Sequence, residues 1–355
     1  MKRRNIIIIA AVAAVCIAAI IVALTGSRKA TFKQDYHIED VSTITRIFLA
    51  DKQEHEVLLT RTGDSSWVVD GTYPANQPMI DLFLETLHTM RIRQQVNRNA
   101  VPTVIKDLSA RAIKVEVYQR VPFINWFSGR LQFFPHEKLT TTYFVGRETK
   151  DMLGSYMFRE GDKAPCVIHI PGFRGFLTPR FVTDPLKWRS HTIVDLDAKA
   201  IARIELEIPA EESESFAVVN NGEDFDMLVG GSMVPTFDTV RVAALIASFT
   251  WLNFDEFASI VPNSKDSSLV GTPRTILRVT DTAGVTREVR TYIKYVNPAD
   301  METIVDASMY ETFDVNRLYA ILDKTDTVLI QYHVFDNILQ PASYFLGADT
   351  KLVIE

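Results

Sequence analysis

The stretch Ile44-Thr45-Arg46-Ile47-Phe48-Leu49 decides the fold, because its pattern returns as Ile201-Ala202-Arg203-Ile204-Glu205-Leu206. The copies begin at residues 44 and 201, so they lie 157 positions apart. The segments that follow each copy also match, in the same order. We therefore predict an α+β protein with two tandem repeated modules, each an antiparallel sheet with a packed helix, at 41–190 and 191–355.

Short apolar segments after each copy predict a small antiparallel meander, because turn residues separate them. In the first module the predicted strands are 56–60 and 67–69, with Gly63 between them. In the second module the matching strands are 216–219 and 225–227. Each copy is thus the opening strand of a module.

A helix follows the meander in each module. Asn76 can cap the first helix, and four apolar residues have the i, i+3, i+4, i+7 spacing of one buried face: Ile80, Phe83, Leu84 and Leu87. A constant shift of 160 positions predicts the buried face of the second helix: Val240, Ala243, Ala244 and Ala247. Near the C-terminus, Asp314 predicts the cap of a further helix through Leu318, Ile321 and Leu322.

The modules differ in one connection. Residues 119–140 join two predicted strands of the first module, whereas the matching connection of the second module is about half as long, at 280–290. The extra residues, 121–134, carry little charge and many aromatic side chains. Insertions on a repeated scaffold are common places for differences in function.

Pro and Gly punctuate this insertion and a second aromatic segment, 171–181, which predicts loops or hairpin tips. Two interpretations remain open: the aromatic residues fold back onto the sheet, as aromatic residues usually do, or they form an exposed patch for a partner or the membrane surface. The residues predicted to dock a partner are Phe123, Trp126, Phe127, Phe133, Phe134, Phe173, Arg174 and Phe176.

The N-terminus predicts a membrane anchor. Lys2-Arg3-Arg4 precedes residues 6–24, which contain no charge and would span roughly 28 Å as a helix. A cleaved signal peptide would have a shorter apolar region, and a lipoprotein signal would not place Val15 before Cys16. We predict an uncleaved single-pass anchor within 1–28 and a tether at 29–40. The basic residues then stay in the cytoplasm, and the bulk lies on the periplasmic side of the inner membrane.

The composition is that of an ordinary globular protein with a net charge of −6. Because no basic block occurs after the first four residues, we expect no nucleic-acid partner. Two cysteines are present, and Cys16 lies in the apolar run, so the folded part has one thiol and no internal disulfide.

No motif for catalysis, phosphate binding or metal binding occurs in the chain. His136-Glu137, His169 and His191 have no ligand-like spacing, and Asp195 with Asp197 fits turn or capping roles. Cys166 precedes apolar residues, which favours a buried side chain over a nucleophile. We therefore expect no cofactor, no metal and no catalytic residues.

Several further motifs resemble a bacterial family, the domain of unknown function 4340. They are the opening strand, Trp67-Val68-Val69-Asp70-Gly71, Tyr73-Pro74-Ala75, Val115-Glu116-Val117-Tyr118, Asp184-Pro185 with Trp188-Arg189, and Val194-Asp195-Leu196-Asp197. The resemblance covers about residues 40–230, although Ser190 stands where the family usually has an acidic residue. It implies no established activity. Some members look like accessory proteins of ABC-transport or gliding-motility systems, which implies an envelope partner.

Trp188-Arg189 lies at the junction of the predicted modules, where we expect it to join them. The leading hypothesis is a non-enzymatic accessory or scaffold protein that binds other envelope membrane proteins. The alternatives are an envelope hydrolase with a site at the module seam and a small-ligand binding module between the two sheets. The oligomeric state is not predicted.

Overall fold

Two nine-stranded antiparallel sheets dominate the structure, a computed structural model that describes residues 36–126, 131–258, 269, 271–295 and 313–346. The chain divides into two compact units, Met1–Arg189 and Ser190–Glu355, and each unit contains one of these sheets. The predicted module boundary, between 190 and 191, lies one residue after this division. The predicted α+β class is confirmed.

The predicted anchor at 6–24 and most of the predicted tether lie outside the described residues. The longest described helix, α1 (Gln77–Thr89), has 13 residues, whereas a membrane-spanning helix needs about 20. Within the described part of the chain, none of the helices combines the length and the apolar character needed to cross a bilayer.

The first sheet has the strand order β4-β3-β2-β1-β6-β7-β8-β9-β5. Its strands are β1 Ile44–Ala50, β2 Glu56–Arg61, β3 Trp67–Val69, β4 Tyr73–Pro74, β5 Arg91–Gln95, β6 Ile113–Trp126, β7 Leu131–Glu148, β8 Ser155–Arg159 and β9 Cys166–His169. Helix α1 packs its apolar face on one side of the sheet, where Ile80, Phe83 and Leu87 join the main core. Helix α2 (Val101–Arg111) packs Val104 and Leu108 on the other side, over β7, β8 and β9.

The second sheet repeats that order as β14-β13-β12-β11-β17-β18-β19-β20-β16. Its strands are β11 Ile201–Glu207, β12 Phe216–Asn220, β13 Phe225–Val229, β14 Ser232–Met233, β16 Glu256–Phe257, β17 Thr275–Asp281, β18 Thr286–Tyr295, β19 Phe313–Leu322 and β20 Asp326–Gln331. A small separate sheet pairs β10 (Thr192–Val194) with β15 (Leu252–Asn253). The remaining helices are α3 Pro185–Trp188, α4 Thr239–Ala247, α5 Tyr332–Phe335 and α6 Ala342–Phe345.

The repeated stretch forms the central strand β1 in one sheet and β11 in the other. Ile44 and Ile47 are both buried although they are three residues apart, which a regular strand would place on opposite faces. A β-bulge between Ile44 and Arg46 supplies the extra residue, and the same bulge recurs between Ile201 and Arg203. The copies therefore share a backbone irregularity as well as a sequence pattern.

Helix α4 buries a different face from the predicted one. The residues predicted to be buried are exposed, with Val240 at 77%. The buried residues are Val242, Leu245, Ile246 and Phe249. They also have i, i+3, i+4, i+7 spacing but larger side chains than the alanines, so they bury more apolar surface. Counted from the two N-caps, Asn76 and Asp238, the shift between the helices is 162 positions and not 160.

The predicted helix after Asp314 is also wrong, because residues 313–322 form strand β19. Leu318, Tyr319 and Ala320 are consecutively buried between β18 and β20, as in a strand covered on both faces. A short apolar run of this kind has no periodicity that separates a strand from a helix.

Each unit is closed by an aromatic residue beneath the N-terminus of its main helix. Trp188, in α3, is fully buried, and its carbonyl accepts the Asn76 N–H at 2.7 Å. Phe345, in α6, is also fully buried, and its carbonyl accepts the Asp238 N–H at 2.8 Å. Both units thus fix the start of a helix with the last aromatic residue of their own chain segment.

Candidate functional site

The hairpin β6–β7 extends far beyond the first sheet. Val115 pairs with Tyr143, and the equivalent pair of the second sheet is Leu277 with Val289. The outgoing residues are 162 positions apart and the returning residues 146, so the first hairpin is longer by the difference, 16 residues. The structure places the extra residues in a two-stranded ribbon, which we define as residues 119–126 and 131–140.

The chain enters the first unit at the foot of this ribbon, where Ile44 pairs with Gln119. The Gln119 amide donates to Thr43 Oγ1 at 2.7 Å, and Thr45 Oγ1 donates to Glu137 at 2.6 Å. Residues 40–45 are therefore fixed against the point at which the ribbon leaves the sheet.

The ribbon exposes aromatic side chains. Phe123 is 72% exposed, Phe134 73% and Phe133 44%. Phe123 contacts the ring of His136 edge-on, with 6.0 Å between ring centroids. Phe134 has a φ of 55°, a left-handed conformation that costs energy for a bulky residue. The exposed alternative is therefore the one observed, and folding back onto the sheet is not.

Both faces of the ribbon carry these apolar groups. Successive strand residues point to opposite faces, so Phe123 and Ile124 lie on different sides. Phe133 is paired with Ile124 and shares its face. Trp126 ends β6, and Phe127 lies outside the described residues. The described docking residues of the insertion thus belong to one element, in which Phe123, Phe133 and Phe134 are exposed.

Two prolines face each other across the ribbon, Pro122 and Pro135. Neither has an N–H, so this pair cannot exchange the two ladder hydrogen bonds of a bonded pair. In a non-bonded pair the backbone nitrogens point away from the partner strand, toward the outer edges of the ribbon. Each outer edge therefore lacks one N–H donor, which an added strand would need. Sequence reasoning missed this feature, although the mirrored order Pro-Phe and Phe-Pro at 122–123 and 134–135 was a visible signal.

Side chains of strands β1 and β6 contact the foot of the ribbon. The Arg46 guanidinium stacks over the Tyr118 ring at 4.1 Å, and its Nη2 lies 2.7 Å from Glu137 Oε1. The hydrogen bond from the Tyr118 hydroxyl to Glu116, together with burial, raises the pKa of Tyr118. Burial opposes ionisation of Glu116, but hydrogen bonds from Lys114 and Tyr118 outweigh it and lower the pKa of that carboxyl. The contact of Arg46 with Glu137 thereby ties the ribbon to the repeated strand.

The second predicted aromatic segment lies elsewhere. It begins after His169, the last residue of β9. Strand β9 starts at the end of the sheet from which the ribbon extends and runs toward the opposite end, so this segment lies far from the ribbon. Phe173 is 40% exposed and lies 4.8 Å from the Arg180 guanidinium, Arg174 is exposed and Phe176 is half-buried. The structure does not bring this segment together with the ribbon.

Trp188 and Arg189 have contacts within the first unit. The Trp188 ring packs edge-on against Phe83, and its Nε1 donates to the Val182 carbonyl at 2.9 Å. The Arg189 guanidinium stacks over Tyr73 at 3.8 Å. A role for this pair in joining the two modules stays a prediction.

The candidate chemical groups do not converge on one site. His136 lies in the ribbon and His169 at the opposite end of the first sheet, while His191 belongs to the second unit and stacks on Phe254. Burial and the charge of Arg93 lower the pKa of His169. Nowhere in the described ranges do three His, Cys, Asp or Glu residues gather as metal ligands would.

Cys166 is 7% exposed, and burial together with the charge of Asp162 raises the pKa of its thiol. A thiol of this kind is a poor nucleophile, because the thiolate is the reactive form. Asp195 and Asp197 are exposed, and the Asp197 carbonyl accepts the Ala200 N–H in a turn. Both residues lie in the connection between β10 and β11.

Comparison with known families gives one finding. A family model described as "Domain of unknown function (DUF4340)" matches residues 67–271, which is more than half of the chain. The matched range contains the ribbon and helix α4. Comparisons with curated proteins and with solved structures returned no match. The chain belongs to the DUF4340 family.

Proposed function

We propose that this chain is a membrane-anchored accessory or scaffold protein of the cell envelope, which acts by binding other envelope proteins. The uncharged run at 6–24 supports the anchor, with both modules on the periplasmic side. The family resemblance favours components of ABC-transport or gliding-motility systems as partners. The ribbon is the proposed docking element.

One observation carries this proposal: the ribbon exposes Phe123, Phe133 and Phe134, and the second sheet makes the same connection without it. The fold therefore does not need these residues. Clusters of exposed large apolar groups on a soluble surface mark interaction sites far more often than single exposed residues do. Arg46 and Glu137 hold the foot of the ribbon in place, which reduces the conformational entropy lost on binding.

Recognition by this element uses side chains. Strand addition needs a free row of N–H and C=O groups along an edge, and Pro122 with Pro135 interrupts both edges at the same level. The aromatic rings have no such restriction. They bury large apolar areas with few rotatable bonds, which is why aromatic residues dominate binding hot spots.

The test removes the ribbon without disturbing the sheet. Residues 119–140 are replaced by residues 281–286, the matching connection of the second sheet, which starts and ends at equivalent strand positions. We expect the variant to fold, and to lose the envelope proteins that crosslink to the wild-type chain in membranes and co-purify with it. Recovery of the same proteins at the same yield would contradict the proposed function.

A matched control separates loss of the ribbon from loss of its aromatic residues. The double variant Phe123→Ser with Phe134→Ser keeps the backbone and the foot, and should lose most of the same crosslinks. Val285→Ser alters an exposed apolar residue at the tip of the short hairpin, 53% exposed, and should lose none.

A further inference from the structure

We infer that the aromatic part of the ribbon lies on the lipid bilayer, with Phe123, Phe133 and Phe134 in its interfacial layer. This inference rests on the proposed function: the ribbon meets its envelope partners at the bilayer surface, where its aromatic part also contacts lipid. Three features of the ribbon favour contact with lipid: the distribution of its apolar side chains, the gradient of its charge and the short length of chain between it and the predicted anchor.

The apolar side chains occur on both faces of the ribbon at one level. Phe123 is on one face, and Ile124 with Phe133 is on the other. A protein partner that covers one face of a two-stranded ribbon leaves the other in water. A fluid apolar layer surrounds both faces at once, and aromatic side chains favour the interface between lipid and water.

Charge is confined to the foot of the described ribbon. Arg120 pairs with Glu137, and Gln119 pairs with Lys138. Beyond these pairs, residues 121–126 and 131–135 contain no Asp, Glu, Lys or Arg. The ribbon thus changes from charged to apolar along its length, as an element that enters an interface from water must do. In the sequence, the one further charged residue between 121 and 135 is Arg130.

The foot of the ribbon lies close to the first described residues. The Gln119 amide donates to the Asp40 carbonyl and to Thr43 Oγ1, soon after the buried Tyr36. Residues 25–35 separate Tyr36 from the uncharged run, and a fully extended chain of this length spans at most about 40 Å. The ribbon from Gln119 to Trp126 extends about 25 Å at strand spacing. A bilayer that holds the predicted anchor is therefore within reach of the ribbon.

The experiment uses the full chain in vesicles of phosphatidylcholine and phosphatidylglycerol that contain no other protein. Cys16→Ala removes the cysteine of the uncharged run, and Cys166 stays unlabelled because it is buried. A solvent-sensitive fluorophore is attached at Phe123→Cys, at Phe134→Cys or, as the matched control, at Val285→Cys in the short hairpin. Quenching is measured with lipids that carry a spin label near the headgroup and with aqueous iodide.

At positions 123 and 134 we expect lipid quenching at least about three-fold stronger than at 285, with matching protection from iodide. Equal quenching at all three positions overturns the inference, and so does failure of the chain to float with the vesicles. If positions 123 and 134 are protected only in native membranes, the ribbon binds a protein. The inference then falls while the proposed function stands, whereas loss of the crosslinks to envelope proteins tests that function separately.

Discussion

The two hairpins at the centre of the two sheets are the most informative comparison in the molecule. In both sheets the first strand of the hairpin pairs with the repeated strand in the same register, opposite the same bulge. The hairpin of the second sheet turns back at residues 282–285, whereas that of the first sheet continues as the ribbon. The short version shows what the fold requires. A sheet of this order therefore does not require the residues that the long version adds, and their exposed aromatic side chains are available for binding.

The repeated arginine shows the same divergence on a smaller scale. Arg46 stacks on Tyr118 and pairs with Glu137, a residue of the ribbon. Arg203 occupies the same position but pairs with Glu205 on its own strand, at 2.7 Å. The repeated arginine thus contacts the ribbon in the first unit, whereas in the second unit it pairs with a residue of its own strand.

We expect the largest loss of stability from removing the buried aromatic residue that closes each unit. Trp188→Ala should destabilise the first unit by about 3–5 kcal/mol, because it leaves a large cavity beneath α1 and a weakened N-terminus. Phe345→Ala should destabilise the second unit by a similar amount. Denaturant unfolding with fluorescence and circular dichroism measures both. A cost below about 1 kcal/mol for one variant, with the expected cost for the other, would show that the two aromatic residues are not equivalent.

The next largest difference between the units should be the stability that the N-cap residues of α1 and α4 contribute. Asp238 accepts N–H groups from Val240 and Arg241 at 3.0 and 3.1 Å, whereas Asn76 accepts only a longer one from Met79, at 3.3 Å. We expect Asp238→Ala to cost about 1–2 kcal/mol and Asn76→Ala about 0.5–1. Chemical denaturation of the two variants decides this, and a larger cost for Asn76→Ala would reverse the comparison.

The repeat could be predicted because strand β1 and strand β11 carry the same apolar residues at the positions that a bulged strand buries. The ribbon could be located by length, since the second module lacks it. Its exposure could not, because the same aromatic composition also fits a segment that folds back, and only the continued pairing of β6 with β7 excludes this.

The two errors in the second unit have a common physical origin. In α4, both Val240 and Val242 begin a run with helical spacing, and the choice depends on which face meets the sheet. In β19, Leu318 to Leu322 fits a helix or a strand until the neighbours β18 and β20 are known. Tertiary packing resolves both ambiguities, and local sequence does not contain it.

The arginine comparison gives a smaller expected difference. Arg46→Ala removes a stacked and ion-paired side chain that is about one-third exposed, and should cost about 1 kcal/mol. Arg203→Ala removes a similarly exposed pair whose acidic partner lies on the same strand, and should cost less than about 0.5 kcal/mol. Equal costs in urea titrations would mean that the contact with the ribbon adds no stability. Combining Arg46→Ala with Glu137→Ala then measures the coupling directly.

The smallest expected effect lies at the first residue after the repeated strand, which is an aspartate in the first unit and an isoleucine in the second. Asp51 follows β1, and the matching residue after β11 is Ile208, whose N–H donates to Ser215 Oγ at 2.8 Å. Burial opposes ionisation of Asp51, but His55 Nδ1 at 2.9 Å, the Gln53 N–H at 2.7 Å and the Thr183 hydroxyl at 2.9 Å outweigh it. These contacts lower the pKa of the carboxyl to about 2.

A pKa lowered by folding stabilises the folded state fully above the unfolded value, near 3.9, and the contribution is lost as the pH falls toward 2. We therefore expect Asp51→Asn to reduce the stability of the first unit at pH 6 by less than about 1 kcal/mol, since solvent screens this group. The difference from wild type should shrink between about pH 4 and pH 2. Ser215→Ala provides the matched control, because a hydroxyl does not titrate in this range. Its cost should be independent of pH, and a parallel pH dependence in both variants would show that Asp51 is not the group responsible.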